Sequence, residues 1–280
     1  MFTVQCPFPG VAHITDAMGV SFTLLEGEKE ALLVDAGYGT EDVSAFVRSR
    51  TGKPVQLLLT HGHHDHVLGA RWFAESRMDP ADLPEFRLRT GPVQREAVMA
   101  QAAAKGIIPP TDFLEAKIPD PGPVLYTDEL DGFSRCRMDL GRREVWLILV
   151  PGHTAGSIVL YLPDLQLLLT GDNWNPCTWM WFPCSLPVRQ WRENMLRLTA
   201  ALEQETGEKV LHVLCSHQPA LRQADEMKGF LGYMTDERLR EAESLDLGKG
   251  SNPPIRTCQV AFPDKGWMLV FDRDRAFNRS

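Results

Sequence analysis

The segment from Thr60 to His66 concentrates side chains that bind metal ions. His61, His63, Asp65 and His66 follow one another there in an HxHxDH pattern. Histidine is the commonest side-chain ligand of zinc, and carboxylate oxygen also suits zinc, iron or manganese. Since burying such polar groups without a partner is costly, a plain structural role for all four is unfavourable. We therefore predict a metal site here, with a solvated histidine-rich turn as the alternative.

Three further candidate ligands each come directly after a predicted strand. They are His153 after Val145–Val150, Asp172 after Leu165–Thr170 and His217 after Val210–Cys215. In α/β folds, ligands bind in the crevice beyond the carboxyl ends of the strands. The HxHxDH segment follows the apolar run Val55–Leu59 in the same way. Seven side chains can thus converge at one edge, which suits two divalent metal ions: zinc first, with iron or manganese as alternatives.

Other histidines and one aspartate near these positions have simpler interpretations. His64 fills a variable place in the motif. It is expected to face solvent or to contact the ligand residues without binding metal itself. His13 precedes a strand and is interpreted as a surface or turn residue, and His212, inside an apolar strand, as a core histidine. Asp35 either caps a turn or orients a ligand histidine through the ring nitrogen that does not bind metal, and we favour the second.

The stretch Trp174–Phe182 is unusually aromatic and follows Asp172 closely. Such clusters are usually core, but this one is equally compatible with the wall of an apolar substrate pocket. Cys177 and Cys184 lack further partners at zinc-finger spacing, so a separate zinc site there is not favoured. Arg189 and Arg192 are interpreted as a helix surface, although either could meet an anionic substrate group.

Composition excludes several functional classes. The 280 residues are 44% hydrophobic and carry a net charge of −8, with no long basic run, so nucleic acid is not an expected partner. Neither a signal peptide nor a membrane-length apolar stretch is evident, so we expect a cytoplasmic protein without membrane contact. The six cysteines form no CxxC pair and are expected to be free thiols. A small-molecule substrate is the expected partner, and a homodimer is possible.

Strands that alternate with helices predict an α/β layered fold in a single domain, 1–280. The predicted strands form a hairpin at 20–35, a buried strand at 55–59, three strands between 144 and 170, one at 210–215 and a closing hairpin at 257–271. Helices are predicted at 40–50, 187–205 and 219–244. Between them, a Pro-interrupted and mostly helical insertion at about 79–126 is expected to cover the metal edge as a lid and to set substrate size.

Together, these motifs resemble the signature of the metallo-β-lactamase superfamily. The matching residues, in order, are Leu33–Gly37, the HxHxDH motif, Gly152-His153, Gly171-Asp172 and His217. The resemblance implies an αββα sandwich of two mixed β-sheets with helices outside and metals at one edge. It further implies that His61, His63 and His153 hold a first ion. Asp65, His66 and His217 would then hold a second, with Asp172 bridging the two.

The resemblance also narrows the reaction. A bridging Asp172, where the penicillin-degrading members have Cys, places the chain nearer the glyoxalase II and lactonase type than the true β-lactamases. We expect a metal-bridged hydroxide, oriented by Asp65, to attack an ester, lactone, thioester or amide carbonyl. No G-x-S-x-G motif offers a serine nucleophile instead.

Two other functions stay open at this point. One is a persulfide dioxygenase, which uses a mononuclear iron that His61, His153 and Asp172 would hold here. The other is a non-catalytic metal-binding protein that has the same ligands.

Overall fold

The structure, a computed structural model, describes residues 1–247 and 254–277. Its described strands form two seven-stranded sheets and one four-stranded sheet. The first sheet takes up the N-terminal part of the chain, with its strands side by side in chain order. They are β1 (Thr3–Phe8), β2 (Val11–Thr15), β3 (Ser21–Glu26), β4 (Ala31–Val34), β5 (Val55–Leu58), β6 (Arg77–Met78) and β7 (Gly122–Pro123).

Both large sheets are mixed. In the first, neighbours are antiparallel from β1 to β4 and parallel from β4 to β7. The second contains β8 (Asp128–Leu130), β9 (Phe133–Asp139), β10 (Glu144–Leu149), β11 (Ile158–Leu162), β12 (Leu167–Leu169), β14 (His212–Leu214) and β15 (Arg222–Gln223). Its order is β15-β14-β12-β11-β10-β9-β8, and only the β12–β14 pair is parallel.

The small sheet contains β13 (Cys177–Met180), β16 (Glu243–Ser244), β17 (Thr257–Phe262) and β18 (Trp267–Asp272). Its order is β13-β18-β17-β16. The α-helices are α1 (Val43–Arg50), α2 (His64–Val67), α3 (Leu83–Arg89), α4 (Pro92–Ala104), α5 (Val188–Thr206), α6 (Ala224–Tyr233) and α7 (Asp236–Arg240). Within the described ranges, no helix is both long and apolar enough to cross a bilayer.

Alternating side chains divide the core into layers, because successive residues of a strand face opposite sides of a sheet. Leu25 of β3 and Leu147 of β10 meet in the core between the two large sheets. Leu24 instead packs outward in the core that includes residues of α1, and Trp146 packs outward in the core that includes α5 and α6. This layering, helix–sheet–sheet–helix, confirms the predicted αββα sandwich.

Some predicted boundaries were wrong. Helix α1 begins after Asp42, whose carboxylate accepts a hydrogen bond from the Ala45 N–H at 2.8 Å, rather than after Thr40. The helix predicted over 219–244 is divided into β15, α6, α7 and β16. It breaks after Tyr233, where Thr235 caps a new helix by accepting from the Arg238 N–H at 3.4 Å. Capping by a short polar side chain decided both boundaries.

Helices α3 and α4 occupy the segment predicted as an insertion. The chain leaves the first sheet after β6 and returns to it at β7, which pairs with β6 in parallel. The segment is therefore anchored at both ends in the sheet that also carries the HxHxDH motif.

Candidate metal centre

The seven predicted ligands come together at one edge of the sandwich, beyond the ends of strands. His61, His63, Asp65 and His66 follow β5, with the last two on the single turn of α2. The others follow strands of the second sheet: His153 after β10, Asp172 after β12 and His217 after β14. Because β4 and β5 run parallel, the same edge also receives Asp35.

His61, His63 and His153 form a first group of buried side chains. One ring nitrogen from each lies within 4.8 Å of the other two. His153 Nε2 and His63 Nδ1 are 2.9 Å apart. Three imidazole nitrogens this close are the ligand set of a zinc-type site.

Asp65, His66, Asp172 and His217 form a second group with the same 4.8 Å spacing. The Oδ2 atom of Asp172 lies 3.1 Å from His217 Nε2 and 3.4 Å from His66 Nε2. It is also 3.6 Å from His153 Nε2 in the first group. Asp172 therefore stands between the two groups and within reach of both.

Two buried nitrogens test whether these residues fit a metal. The Nε2 atoms of His61 and His66 are buried and, in the described part of the chain, have no hydrogen-bond partner. An unpartnered buried polar atom is costly, and a cation near Asp172 would give both nitrogens a partner. The donor set, five histidines and two aspartates, fits divalent zinc, iron or manganese.

The histidines of the two groups differ in the direction of their pKa shifts. Burial, together with the neighbouring histidines, lowers the pKa of His61 well below its ordinary value and that of His153 to about 3. Both rings are thus neutral, which is the form that binds metal. Burial also disfavours protonation of His66 and His217, but nearby carboxylates, Asp172 first, outweigh it and raise both pKa values.

The carboxylates of the second group are ionised. Burial alone would raise the pKa of Asp65, but His66 and other histidines outweigh it and lower the pKa to about 2. Burial is outweighed in the same way at Asp172, where His217 and His66 hold the pKa well below its ordinary range. A cation that enters the second group would therefore displace protons from its histidines.

Asp35 occupies the supporting position favoured from the sequence. Its Oδ2 lies 2.9 Å from His66 Nδ1, and it also accepts from the Thr60 hydroxyl at 2.8 Å. Its Oδ1 accepts from the Thr60 N–H at 2.7 Å. These bonds leave His66 Nε2 directed at the carboxylates of the second group.

Sequence reasoning missed the residues around His63. Its Nε2, the nitrogen away from the first group, is 3.5 Å from Glu85 Oε1 and 3.5 Å from Cys184 Sγ. Glu85 is held in turn by Arg89, whose Nε donates to Oε1 at 2.6 Å. No motif links these residues to His63, since helix α3 and the loop after β13 meet the site only in three dimensions.

Asp82, just before α3, was also missed. Its carboxylate accepts hydrogen bonds from the N–H groups of Gly62 at 2.8 Å and Gly156 at 2.7 Å, and from the Thr154 hydroxyl at 2.7 Å. This buried side chain therefore joins the loop that carries His61 and His63 to the loop that carries His153.

A cavity of about 450 Å³ opens over both ligand groups. Its other lining side chains include Tyr38, Arg89, Gln101, Cys177, Trp179 and Phe182. The aromatic stretch is thus divided: Trp174 is fully buried against Phe230, whereas Trp179 is 39% exposed and faces the cavity. Helices α3 and α4 supply Arg89 and Gln101 to the wall.

The remaining predicted residues lie outside the two groups. His64 lines the cavity with its ring against Tyr38, 5.4 Å between centroids. Arg189 and Arg192 both pair with Asp236 and do not line the cavity. This agrees with their interpretation as a helix surface, because Asp236 of helix α7 balances both charges.

His212 and His13 are both structural. His212 is half-buried on β14, with its ring 5.2 Å from that of Phe8. His13 was wrongly assigned to the surface. It is buried within β2, where its ring nitrogens meet the Thr23 hydroxyl at 2.9 Å and the Gln218 carbonyl at 3.0 Å.

Comparison with known proteins gives concordant results. Residues 15–203 match a family model described as the metallo-beta-lactamase superfamily. An acyl-coenzyme A thioesterase, MBLAC2, of Gallus gallus is 27% identical over 67% of this chain and 69% of its own length. A hydroxyacylglutathione hydrolase of Cereibacter sphaeroides is 33% identical over 42% of this chain, but the match spans only 33% of that protein.

A solved structure shares the fold. The metallo-beta-lactamase from Pontibacter korlensis superposes with a TM-score of 0.56 at 17% identity, over 83% of this chain and 98% of its own. At that identity the likeness concerns the fold alone.

Proposed function

Because this chain belongs to the metallo-beta-lactamase superfamily, we propose that it is a binuclear metal-dependent hydrolase of a small molecule with an ester, lactone, thioester or amide carbonyl. The observation that carries the proposal is the pair of ligand groups, which share Asp172 and open into one cavity. A mononuclear dioxygenase would need only His61, His153 and Asp172. The complete second group favours hydrolysis.

In this proposal, His61, His63 and His153 would hold one ion, and Asp65, His66 and His217 would hold the other. Asp172 lies within reach of both groups and could serve either ion, and zinc is the first candidate metal. When bound, the ions supply Lewis acidity and make water nucleophilic at neutral pH.

The protein's own side chains orient the reactants. Asp65 stays ionised, so its carboxylate accepts a hydrogen bond from the attacking water and directs a lone pair at the substrate carbonyl. Trp179 and Phe182 provide apolar surface for the body of the substrate. That surface also displaces water from the reacting groups, which strengthens electrostatic interactions there.

Thioesters are the first substrates to test, because a relative similar over 67% of this chain is an acyl-coenzyme A thioesterase. Purified protein is analysed for metal content and assayed with thioesters, esters, lactones and amides. We expect about two equivalents of zinc, iron or manganese and metal-dependent turnover of at least one class. His153→Asn is expected to lose metal and activity together, whereas the control His212→Asn, outside both groups, keeps both.

Three results would contradict the proposal. A folded, metal-free protein would remove its basis. Full metal content without turnover of any carbonyl substrate would favour a metal-binding protein without catalysis. Iron-dependent oxygen consumption with glutathione persulfide would identify a dioxygenase instead.

A further inference from the structure

Arg89 is the one arginine or lysine among the described residues that line the cavity over the ligand groups. It comes from helix α3, in the segment between β6 and β7, and its side chain is 21% exposed. A cation kept at the wall of this cavity calls for an explanation, since the two ligand groups themselves do not use it.

Two contacts hold the guanidinium in place. Its Nε donates to Glu85 Oε1 at 2.6 Å, and its central carbon lies 5.7 Å from the centre of the Phe182 ring. Among residues 1–247 and 254–277, the hydrogen bond of Arg89 is made by Nε and neither Nη atom donates one. Glu85 therefore fixes the guanidinium at its Nε and Phe182 fixes it at one face of its plane. The two terminal N–H₂ groups remain available to a ligand.

The same two contacts place Arg89 close to the first ligand group. The Glu85 oxygen that binds Arg89 is also 3.5 Å from His63 Nε2. The Phe182 ring beneath the guanidinium lies 4.7 Å from the His63 ring and 5.6 Å from the His153 ring, between centroids. A group bound by Arg89 would therefore lie about one aromatic ring away from the proposed reaction centre.

The charge of this arrangement favours a carboxylate. A planar guanidinium with two free N–H₂ groups matches the two oxygens of a carboxylate. Glu85 already balances part of the Arg89 charge, so a single negative charge is better accommodated than the double charge of a phosphate monoester. Trp179 and Phe182 leave apolar surface for the chain that joins this carboxylate to the scissile bond.

We infer that Arg89 is a specificity-determining residue that binds a carboxylate of the substrate. The substrate class is then an ester or thioester whose acyl chain ends in a free carboxylate a few bonds from the scissile carbonyl. This inference rests on the proposed hydrolase function and adds the feature that the substrate must carry.

The test compares two substrates that differ only in this charge: the mono-thiophenyl ester of glutaric acid and the same compound with its free carboxylate capped as a methyl ester. Wild-type protein is expected to prefer the free acid. Arg89→Gln should lower kcat/KM for the free acid by about 10- to 100-fold, mainly through KM, as expected for loss of a charge-assisted bidentate contact. Its kcat/KM for the methyl ester should fall much less, so that the preference for the free acid is lost.

Two more variants complete the design. Arg89→Lys keeps the cation but loses the planar fork, so an intermediate loss for the free acid is expected. Arg87→Gln, on the same helix but 62% exposed and paired with Asp120, is the matched control and should leave both substrates unaffected. Metal content and unfolding of each variant confirm that the site is intact.

The outcomes are distinguishable. Equal losses for both substrates in Arg89→Gln would mean that Arg89 acts through Glu85 on His63, and the inference would be overturned. A wild-type protein that hydrolyses both substrates equally well would overturn it too. Hydrolysis of neither by a protein that turns over another carbonyl substrate would overturn the inference alone. Turnover of no carbonyl substrate at all would count against the proposed function, and the inference would fall with it.

Discussion

Asp35 lies outside the two ligand groups, but its carboxylate positions the ring of the candidate ligand His66. It is buried at the end of β4 with a φ of 66°, a left-handed conformation that is uncommon for a residue other than glycine. That conformation turns the side chain toward both Thr60 and His66. The strain is offset by three hydrogen bonds that fix which His66 nitrogen faces the second group.

Replacing Asp35 with Asn tests this role. The amide presents N–H₂ where Oδ2 now faces His66 Nδ1, so the histidine loses the acceptor that holds its ring. We expect metal affinity to fall about 10- to 100-fold, measured by competition with a chromophoric chelator. Asp120→Asn, an exposed position paired with Arg87, is the control. Unchanged affinity in Asp35→Asn would show that the ring is positioned without this bond.

At the scale of residues, the convergence of the seven candidate ligands could be predicted because their order and spacing lie in the sequence itself. Glu85 and Asp82 could not. Each contacts a ligand loop through a carboxylate on a segment with no motif, and acidic residues near a helix N-terminus are common for reasons of capping alone. Arg89 also lies in a segment without a motif, and its contact Phe182 is far away in the sequence, so it was missed as well.

Among the elements, helix α3 is packed directly onto the HxHxDH loop. A Cβ atom added to Gly62 would lie 2.6 Å from the Phe86 backbone nitrogen and 2.9 Å from the Asp82 carbonyl oxygen. Both are backbone atoms, so neither can move aside without shifting the helix. The start of the segment predicted as a lid is thus part of the framework of the candidate metal centre.

Gly62→Ala is therefore expected to destabilise the protein by about 1–3 kcal/mol through overpacking and to reduce metal content. Gly52→Ala is the matched control, because an added Cβ meets nothing within 4 Å there. Urea unfolding and metal analysis of both variants check the expectation. If the two variants match in stability and metal content, helix α3 is free to move away from the loop.

Sequence patterns predicted many of the longer elements, but they missed β1, β2 and β9, which have six, five and seven residues, as well as the shortest strands. Helix α5 and the hairpin of β17 and β18 lie close to their predicted positions. Strands β6, β7, β15 and β16 have two residues each, too few for an alternating pattern. The pairing of β13 with the predicted hairpin of β17 and β18 was missed. Strand β13 lies in a dense aromatic stretch, and its parallel partner β18 is far away in the sequence.

At the scale of the whole molecule, we expect the stability of the fold to depend on a metal ion at the edge that carries the candidate ligands. Among the described residues, His61 Nε2 and His66 Nε2 are buried without a hydrogen-bond partner, and the Asp65 and Asp172 carboxylates belong to the same ligand group. Any ion that binds only the folded state shifts the unfolding equilibrium toward that state.

Metal removal is therefore expected to lower thermal stability. An ion present at 100 times its dissociation constant contributes about 2.7 kcal/mol, which corresponds to a Tm change on the order of 5–10 °C for a chain of this size. Calorimetry of chelator-treated protein measures the loss. Zinc, iron or manganese should reverse it, whereas magnesium, which prefers oxygen ligands, should not. Equal Tm values with and without chelator would show that the edge is stable on its own.

The pairing of β13 with β18 has a consequence for how the protein is made. Strand β13 carries Trp179 of the cavity wall, and its neighbour in the small sheet is β18, which follows every ligand residue in the chain. Chains emerge from the ribosome N-terminus first and begin to fold in that order. All seven candidate ligands are therefore translated before the strand that supports Trp179, so a nascent chain carries the complete proposed metal centre before this part of the cavity wall can form.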